Sequence, residues 1–217
     1  MYNQKTNFTT DELMQPIPKG STFNGIFTRR EKTKLTTHQF YLYSQDAENL
    51  LLSSTNIGPT RHFVISTSAN EIKEGSEFHI ASSEISGYTY NFTDVNHKPI
   101  LEVTYKSFTE KKTGIRKLEI KMFNKNHEPI EEESEQVIQR MPHKVNNQYS
   151  MVFPSIPISG MCGKQSEKNL ILEYKDEICF IFEKTEEDEF YLAIRYPLNI
   201  VQGFCIALTA MSKFATE

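Results

Sequence analysis

The sequence predicts a mainly β protein, a closed antiparallel barrel of about twelve strands around a hydrophobic C-terminal helix, and three observations predict it. First, about twelve short runs rich in β-branched and aromatic residues are set apart by Asn, Asp, Gly, Pro and Ser. Second, no charge falls between Arg195 and Lys213, and the apolar residues there go right round a helical wheel, so a helix in this place has to be buried on all sides. Third, many short strands must either sandwich or close, and a closed barrel wide enough to hold a helix needs more than the roughly eight strands whose bore side chains fill. The helix and the strand count explain each other.

The predicted strands run over 25–30, 39–44, 49–54, 62–67, 77–82, 87–93, 100–106, 116–123, 149–154, 169–174, 178–183 and 190–196. Several alternate apolar with polar residues. Two stretches interrupt the pattern. Lys125 to Asn147 holds Glu131-Glu132-Glu133-Ser134-Glu135 with Arg140 and Lys144, and has too little apolar content for a core element. Pro154 to Ser166, with Pro154, Pro157, Gly160 and Gly163, reads as an irregular surface crossing. Pro197 suits the first turn of the last helix, because its missing N–H would be unpaired there. The apolar run of roughly 16 residues is short for a membrane span of about 20, so protein is expected to enclose it, with Leu198 to Met211 as a structural axle that touches no ligand.

A chain of 217 residues fits one large domain, here 16–217 after a short tail of 1–15. Its net charge of −4 and pI near 5.9 give no global case for nucleic acid or anionic membrane, so such partners would have to meet a local patch. The three cysteines, Cys162, Cys179 and Cys205, lie at scattered spacings, two of them in apolar contexts, as in a reducing intracellular compartment. The N-terminus has no apolar signal region and no glycine after Met1, which points away from secretion and lipidation.

Enzymatic signals are absent from the pattern. The six histidines lie singly without zinc-type spacing, and there is no phosphate-binding glycine loop or nucleophile elbow. Glu186-Glu187-Asp188-Glu189 reads as a solvated bend, and Cys162 has no histidine partner in sequence. The chain is therefore expected to be noncatalytic, with no cofactor and no metal.

The C-terminal stretch Asp188 to Leu198, then Gln202-Gly203-Phe204-Cys205-Ile206-Ala207-Leu208 and the final Ala215-Thr216-Glu217, resembles the closing signature of tubby-like proteins. That signature reads Asp-x-Phe-x-x-x-x-x-Tyr-Pro-Leu, Gln-Ala-Phe-x-Ile-x-Leu and Ala-Cys-Glu. Pro16-Ile17-Pro18-Lys19-Gly20, Phe27-Thr28-Arg29-Arg30, Phe63-Val64-Ile65-Ser66, Phe153 and Gln165-Ser166-Glu167-Lys168-Asn169 are similar to further elements of the family, so the likeness runs from Pro16 to Glu217. It implies a twelve-stranded barrel threaded by one hydrophobic helix, and a peripheral membrane adaptor that binds phosphoinositide head groups through an Asn, a Lys-x-Arg pair and a further Arg. Position by position, the Asn falls on His62, the Lys and Arg on Ile80 and Ser82, and the last Arg near His97 and Lys98. The central cation pair is absent, and the basic loop before the Asn keeps only Arg61.

A remodelled or weakened lipid site would then rest on Arg61, His62, His97 and Lys98, with His79 nearby. A second basic group, Lys106, Lys111, Lys112, Arg116 and Lys117, spans a predicted hairpin with Thr113-Gly114 at its turn, and Arg29, Arg30, Lys32 and Lys34 form a third. Each group reads first as ordinary solvated surface, and a patch made of all three would be needed to change that reading. The resemblance implies a cytoplasmic protein at the plasma membrane. Two alternatives stand beside it, a nuclear DNA-associated regulator using the hairpin cluster and a protein-interaction module that has lost lipid binding.

Overall fold

The structure is a computed structural model and describes residues 8–31, 38–57, 62–86, 88–106, 117–123, 127–130, 136–145 and 148–212. Twelve antiparallel strands close into a barrel. In chain order they are β1 (Phe23–Glu31), β2 (His38–Ser44), β3 (Leu50–Ile57), β4 (His62–Ser66), β5 (His79–Ser86), β6 (Thr89–Asp94), β7 (Pro99–Lys106), β8 (Lys117–Met122), β9 (Val137–Gln139), then β12 (Leu170–Tyr174), β13 (Glu177–Glu186) and β14 (Glu189–Ile194). Neighbours in sequence are neighbours in the wall, β9 pairs with β12, and β14 closes on β1 with Phe23 opposite Ile194. A separate two-stranded hairpin, β10 (His143–Val145) and β11 (Gln148–Ser150), stands outside the ring.

The expected twelve are reached with one exchange. The segment 149–154 is not a wall strand: its first residues belong to β11, and the rest joins the 151–169 crossing. The missing wall strand is β9, inside the stretch read as too polar for the core. Three residues suffice because only Val137 has to face inward, while Ile138 stays 60 % exposed. Gln139 mends the short pairing, its Oε1 accepting from the Leu118 N–H at 2.8 Å.

Through the bore runs α2 (Ile200–Met211), and eleven of its twelve residues are buried. It starts three residues later than Pro197 suggests. Asn199 is the N-cap, its Oδ1 accepting from the Gln202 N–H while the Gln202 side chain accepts from the Asn199 N–H, a reciprocal capping box that satisfies two otherwise orphaned donors. Phe27 packs on Phe204 of α2 with ring centroids 5.6 Å apart, and on Phe182 at 5.2 Å. At Gly203 an added Cβ would lie 2.2 Å from Ile194 Cδ1, so only glycine lets α2 approach β14 this closely. Two polar tethers fix the helix direction: Gln202 Nε2 donates to the Ile100 carbonyl at 3.2 Å, and Thr209 and Tyr105 share a hydrogen bond of 3.1 Å. Both partners lie on β7, which therefore runs parallel to α2 and marks its two ends.

Residues 8–15, expected as a tail, also belong to the fold. They include one helical turn, α1 (Thr10–Leu13), capped by Thr9, and its Leu13 is buried in the main core. The crossing 151–169 lies over the outer face of β13 and β14, where Phe153, Ile156 and Ile158 pack on Ile181, Tyr191 and Ala193. Among the described residues no helix is long and apolar enough to cross a membrane.

Candidate functional site

The positions that carry the family likeness on β4 and β5 do not form a cationic pocket. Phe63 and Ile65 face the core, leaving His62 on the outer face of β4 beside Ser82 of the neighbouring strand, where Val64 and Ser82 are paired. The 67–78 connection folds back over this face, and Glu74 reaches both residues. Its Oε1 accepts from Ser82 Oγ at 2.8 Å and lies 3.0 Å from His62 Nε2. His79 Nε2 is 2.8 Å from Ser82 Oγ, while its Nδ1 accepts from the Gly75 N–H at 3.4 Å.

That last contact fixes the direction of the network. With Nδ1 accepting, the proton of His79 is on Nε2 and points at Ser82, and Ser82 in turn gives its own proton to Glu74. His79 has no lone pair aimed at the hydroxyl, so it is not placed as the base of a Ser-His-Glu relay. The Ser82 hydroxyl is the main cause that holds the Glu74 carboxyl below its ordinary range; partial burial opposes it and His62 adds to it. A carboxylate thus stands beside Ser82, one of the two positions onto which the resemblance places a cation.

The remaining mapped residues lie elsewhere. Ile80 is 6 % exposed and packs in the core, because the β4–β5 register shifts between Ile65 and Ser66 and leaves Ile80 as an extra residue on β5. His97 and Lys98 sit in the β6–β7 turn, where Asp94 Oδ1 accepts from the backbone N–H groups of Asn96 and Lys98. Three residues of β4 and two strand spacings separate His62 from Asp94, on the order of 14 Å. Arg61 lies outside the described residues.

Two of the basic groups come together in another way. Around the rim where α2 stops, the strand ends met in turn are Glu31 and His38, Ile57 and His62, Ser86 and Thr89, Lys106 and Lys117, Gln139 and Leu170, and the acidic bend from Glu186 to Glu189 that closes on β1. The Arg29 and Lys106 groups and His62 of the first group are therefore anchored on strand ends of one rim, next to Tyr88, which is 54 % exposed, whereas His97 and Lys98 lie in a turn at the opposite rim. Lys111, Lys112, Arg116, Lys32 and Lys34 lie outside the described residues. Of the described ones, Lys106 pairs with Glu119 at 2.8 Å, Lys117 is exposed, and the Arg30 guanidinium lies 5.2 Å from the Tyr41 ring centre. Arg29 Nε donates to Asp188 Oδ1 at 2.7 Å.

Inside the same rim is a cavity of about 140 Å³. Arg29 on β1, His38 on β2 and Asn56 on β3 reach it, with Phe40 and Phe63 beside them and Met211 and Ser212 of the helix end across from them. None of His38, Asn56 and Glu74 stands out in the sequence, since a single polar residue in a strand has no spacing signature. Asp188 was visible only as part of an acidic bend; its backbone, at φ 61°, turns that bend so that its carboxylate meets Arg29. A scan against models of known protein families finds no match for this chain, and no curated protein matches it.

Proposed function

We propose that this chain is a divergent, noncatalytic barrel of the tubby-like kind that works as a peripheral adaptor at anionic, phosphoinositide-bearing membranes. The observation that carries this reading is the shared rim: the strand ends of two basic groups, the one around Arg29 and Arg30 and the one around Lys106 and Lys117, lie where α2 stops. Lysines close to an anionic surface each contribute about 1 kcal/mol, and an exposed aromatic such as Tyr88 suits the interface between them. The closed barrel around a buried helix is the architecture that the resemblance implies. On this reading the attraction belongs to the rim and not to the His62 and Ser82 face, where Glu74 repels phosphate.

Vesicle flotation tests it. Binding to phosphatidylcholine vesicles containing a few per cent phosphoinositide should exceed binding to plain phosphatidylcholine, and should fall at least about tenfold in the Lys106→Glu, Lys117→Glu double variant. Equal binding to both vesicles, or an unchanged double variant, would reject the adaptor reading. Salt-dependent retention on DNA without any vesicle preference would favour the nuclear alternative instead.

A further inference from the structure

The cavity at the rim where α2 stops is lined unlike the rest of the bore. Along β1, β2 and β3 the inward positions are Phe27, Phe40, Leu42 and Leu52, all buried in the main core, until the rim is reached. There the inward positions become Arg29, His38 and Asn56 on three adjacent strands. Asn56 Oδ1 is buried and has no hydrogen-bond partner, which leaves an acceptor facing a space it cannot fill. Ser54 Oγ, one inward position deeper on the same strand, is in the same state.

We propose that this cavity binds a small uncharged polyol, between glycerol and a single sugar ring in size. A hydroxyl both donates and accepts, so neighbouring hydroxyls of one ligand meet the two needs of the wall: a donor for Asn56 Oδ1 and an acceptor for the Arg29 N–H groups not bonded to Asp188. The Phe40 and Phe63 rings offer an apolar side to the C–H face of such a ring. A volume of about 140 Å³ is close to the roughly 150 Å³ that takes a six-carbon ring. Charge decides against a phosphate or carboxylate ligand. Asp188 neutralises Arg29, and the carbonyl end of α2 adds partial negative charge at the mouth, which Lys168 offsets in part by donating to the Met211 carbonyl at 3.1 Å. The site stands independently of the membrane reading, and its polyol could be free in solution or the head group of a glycosylated lipid.

Titration of the full chain with glycerol, myo-inositol, glucose and inorganic phosphate, followed by amide NMR shifts, tests the site, with a second arm using vesicles that carry a glycosyl diacylglycerol. The expected result is saturable binding of at least one polyol with Kd on the order of millimolar, or of the glycosyl vesicles alone, which would assign the lipid source. In either case Asn56→Leu, which removes the acceptor and fills the space, should weaken binding tenfold or more while leaving the fold intact. Arg29→Lys, which keeps the charge facing Asp188 but loses the planar fork, should weaken it as well. No saturable binding in both arms, binding that survives Asn56→Leu, or binding of phosphate alone would overturn the proposal.

Discussion

At the end of the barrel where α2 begins, each polar group of the cap has a partner; at the end where it stops, several lack one. Asn199 and Gln202 satisfy each other at the first end, Asn199 Nδ2 donates to the Met14 carbonyl at 3.0 Å, and Ile17 N–H donates to the Leu198 carbonyl at 2.9 Å. The N-terminal segment with α1 thereby closes that mouth. Towards the other end Ser54 Oγ and Asn56 Oδ1 are buried inside the bore without a hydrogen bond, and Thr28 Oγ1 and Glu183 Oε2 are in the same state on the outer face of the wall, all in the rim half of their strands. The exception among the described residues is Ser76 Oγ, in the 67–78 connection. An unsatisfied buried group costs about 1–3 kcal/mol, so a fold that tolerates several at one end and none around the cap at the other has divided holding from binding.

The largest test strikes the axle itself. Ala207 is fully buried midway along α2, and Ala207→Asp should cost on the order of 5 kcal/mol or more by stranding a charge inside the barrel, enough to abolish cooperative thermal unfolding. A native melting curve for this variant would remove the enclosed helix from the account.

Next comes the sealed end. Asn199→Ala loses the cap and leaves the Met14 carbonyl without its donor, for an expected loss of about 2–3 kcal/mol, read as a lower midpoint in urea.

The smallest effects are in pH. Burial pushes the Glu183 carboxyl above its ordinary value of 4.5, so the folded chain holds that proton more tightly than the unfolded one. Its contribution is fully present below 4.5 and is lost as pH rises through the folded value. Glu183→Gln should therefore stabilise the protein at pH 7, by about 1 kcal/mol, and not in acid. Glu74 has the opposite sign. Its carboxyl is held below 4.5, mainly by Ser82, so its stabilisation is present above 4.5 and fades as pH falls through the folded value. Because Glu74 is more than half exposed, screening keeps this well below 1 kcal/mol, and Glu74→Gln should lower stability slightly at pH 7 and not at pH 3. If both variants shifted with the same sign, the difference between covered and open carboxylates would be lost.

The fold was legible because its strongest signals are collective. Nine-residue β1 and ten-residue β13 announce themselves by composition, and α2 by having no polar face at all. Short β9 was not legible: one inward Val137 is no pattern, and its place comes from pairing with β12 on one side and β8 on the other. Pro197 misled because a helix-start preference is local, whereas Asn199 and Gln202 cap the helix through partners on α1's segment and β7. The site was less legible still. Mapping Ile80 onto a surface cation ignores a bulge that only the β4–β5 pairing reveals. Glu74 and Asp188 reach their partners from connections, and the distance in sequence between Arg29 and Asp188 leaves no local trace.

The contrast between the ends is tested most directly by measuring the stability of Asn56→Leu beside Asn199→Ala under one set of conditions. The account predicts that Asn56→Leu unfolds at the wild-type midpoint or about 1 kcal/mol above it, since it replaces an orphaned acceptor by apolar contact, while Asn199→Ala loses about 2–3 kcal/mol. A loss for Asn56→Leu as large as that for Asn199→Ala would mean that the end where α2 stops holds the fold together as the capped end does, and would contradict it.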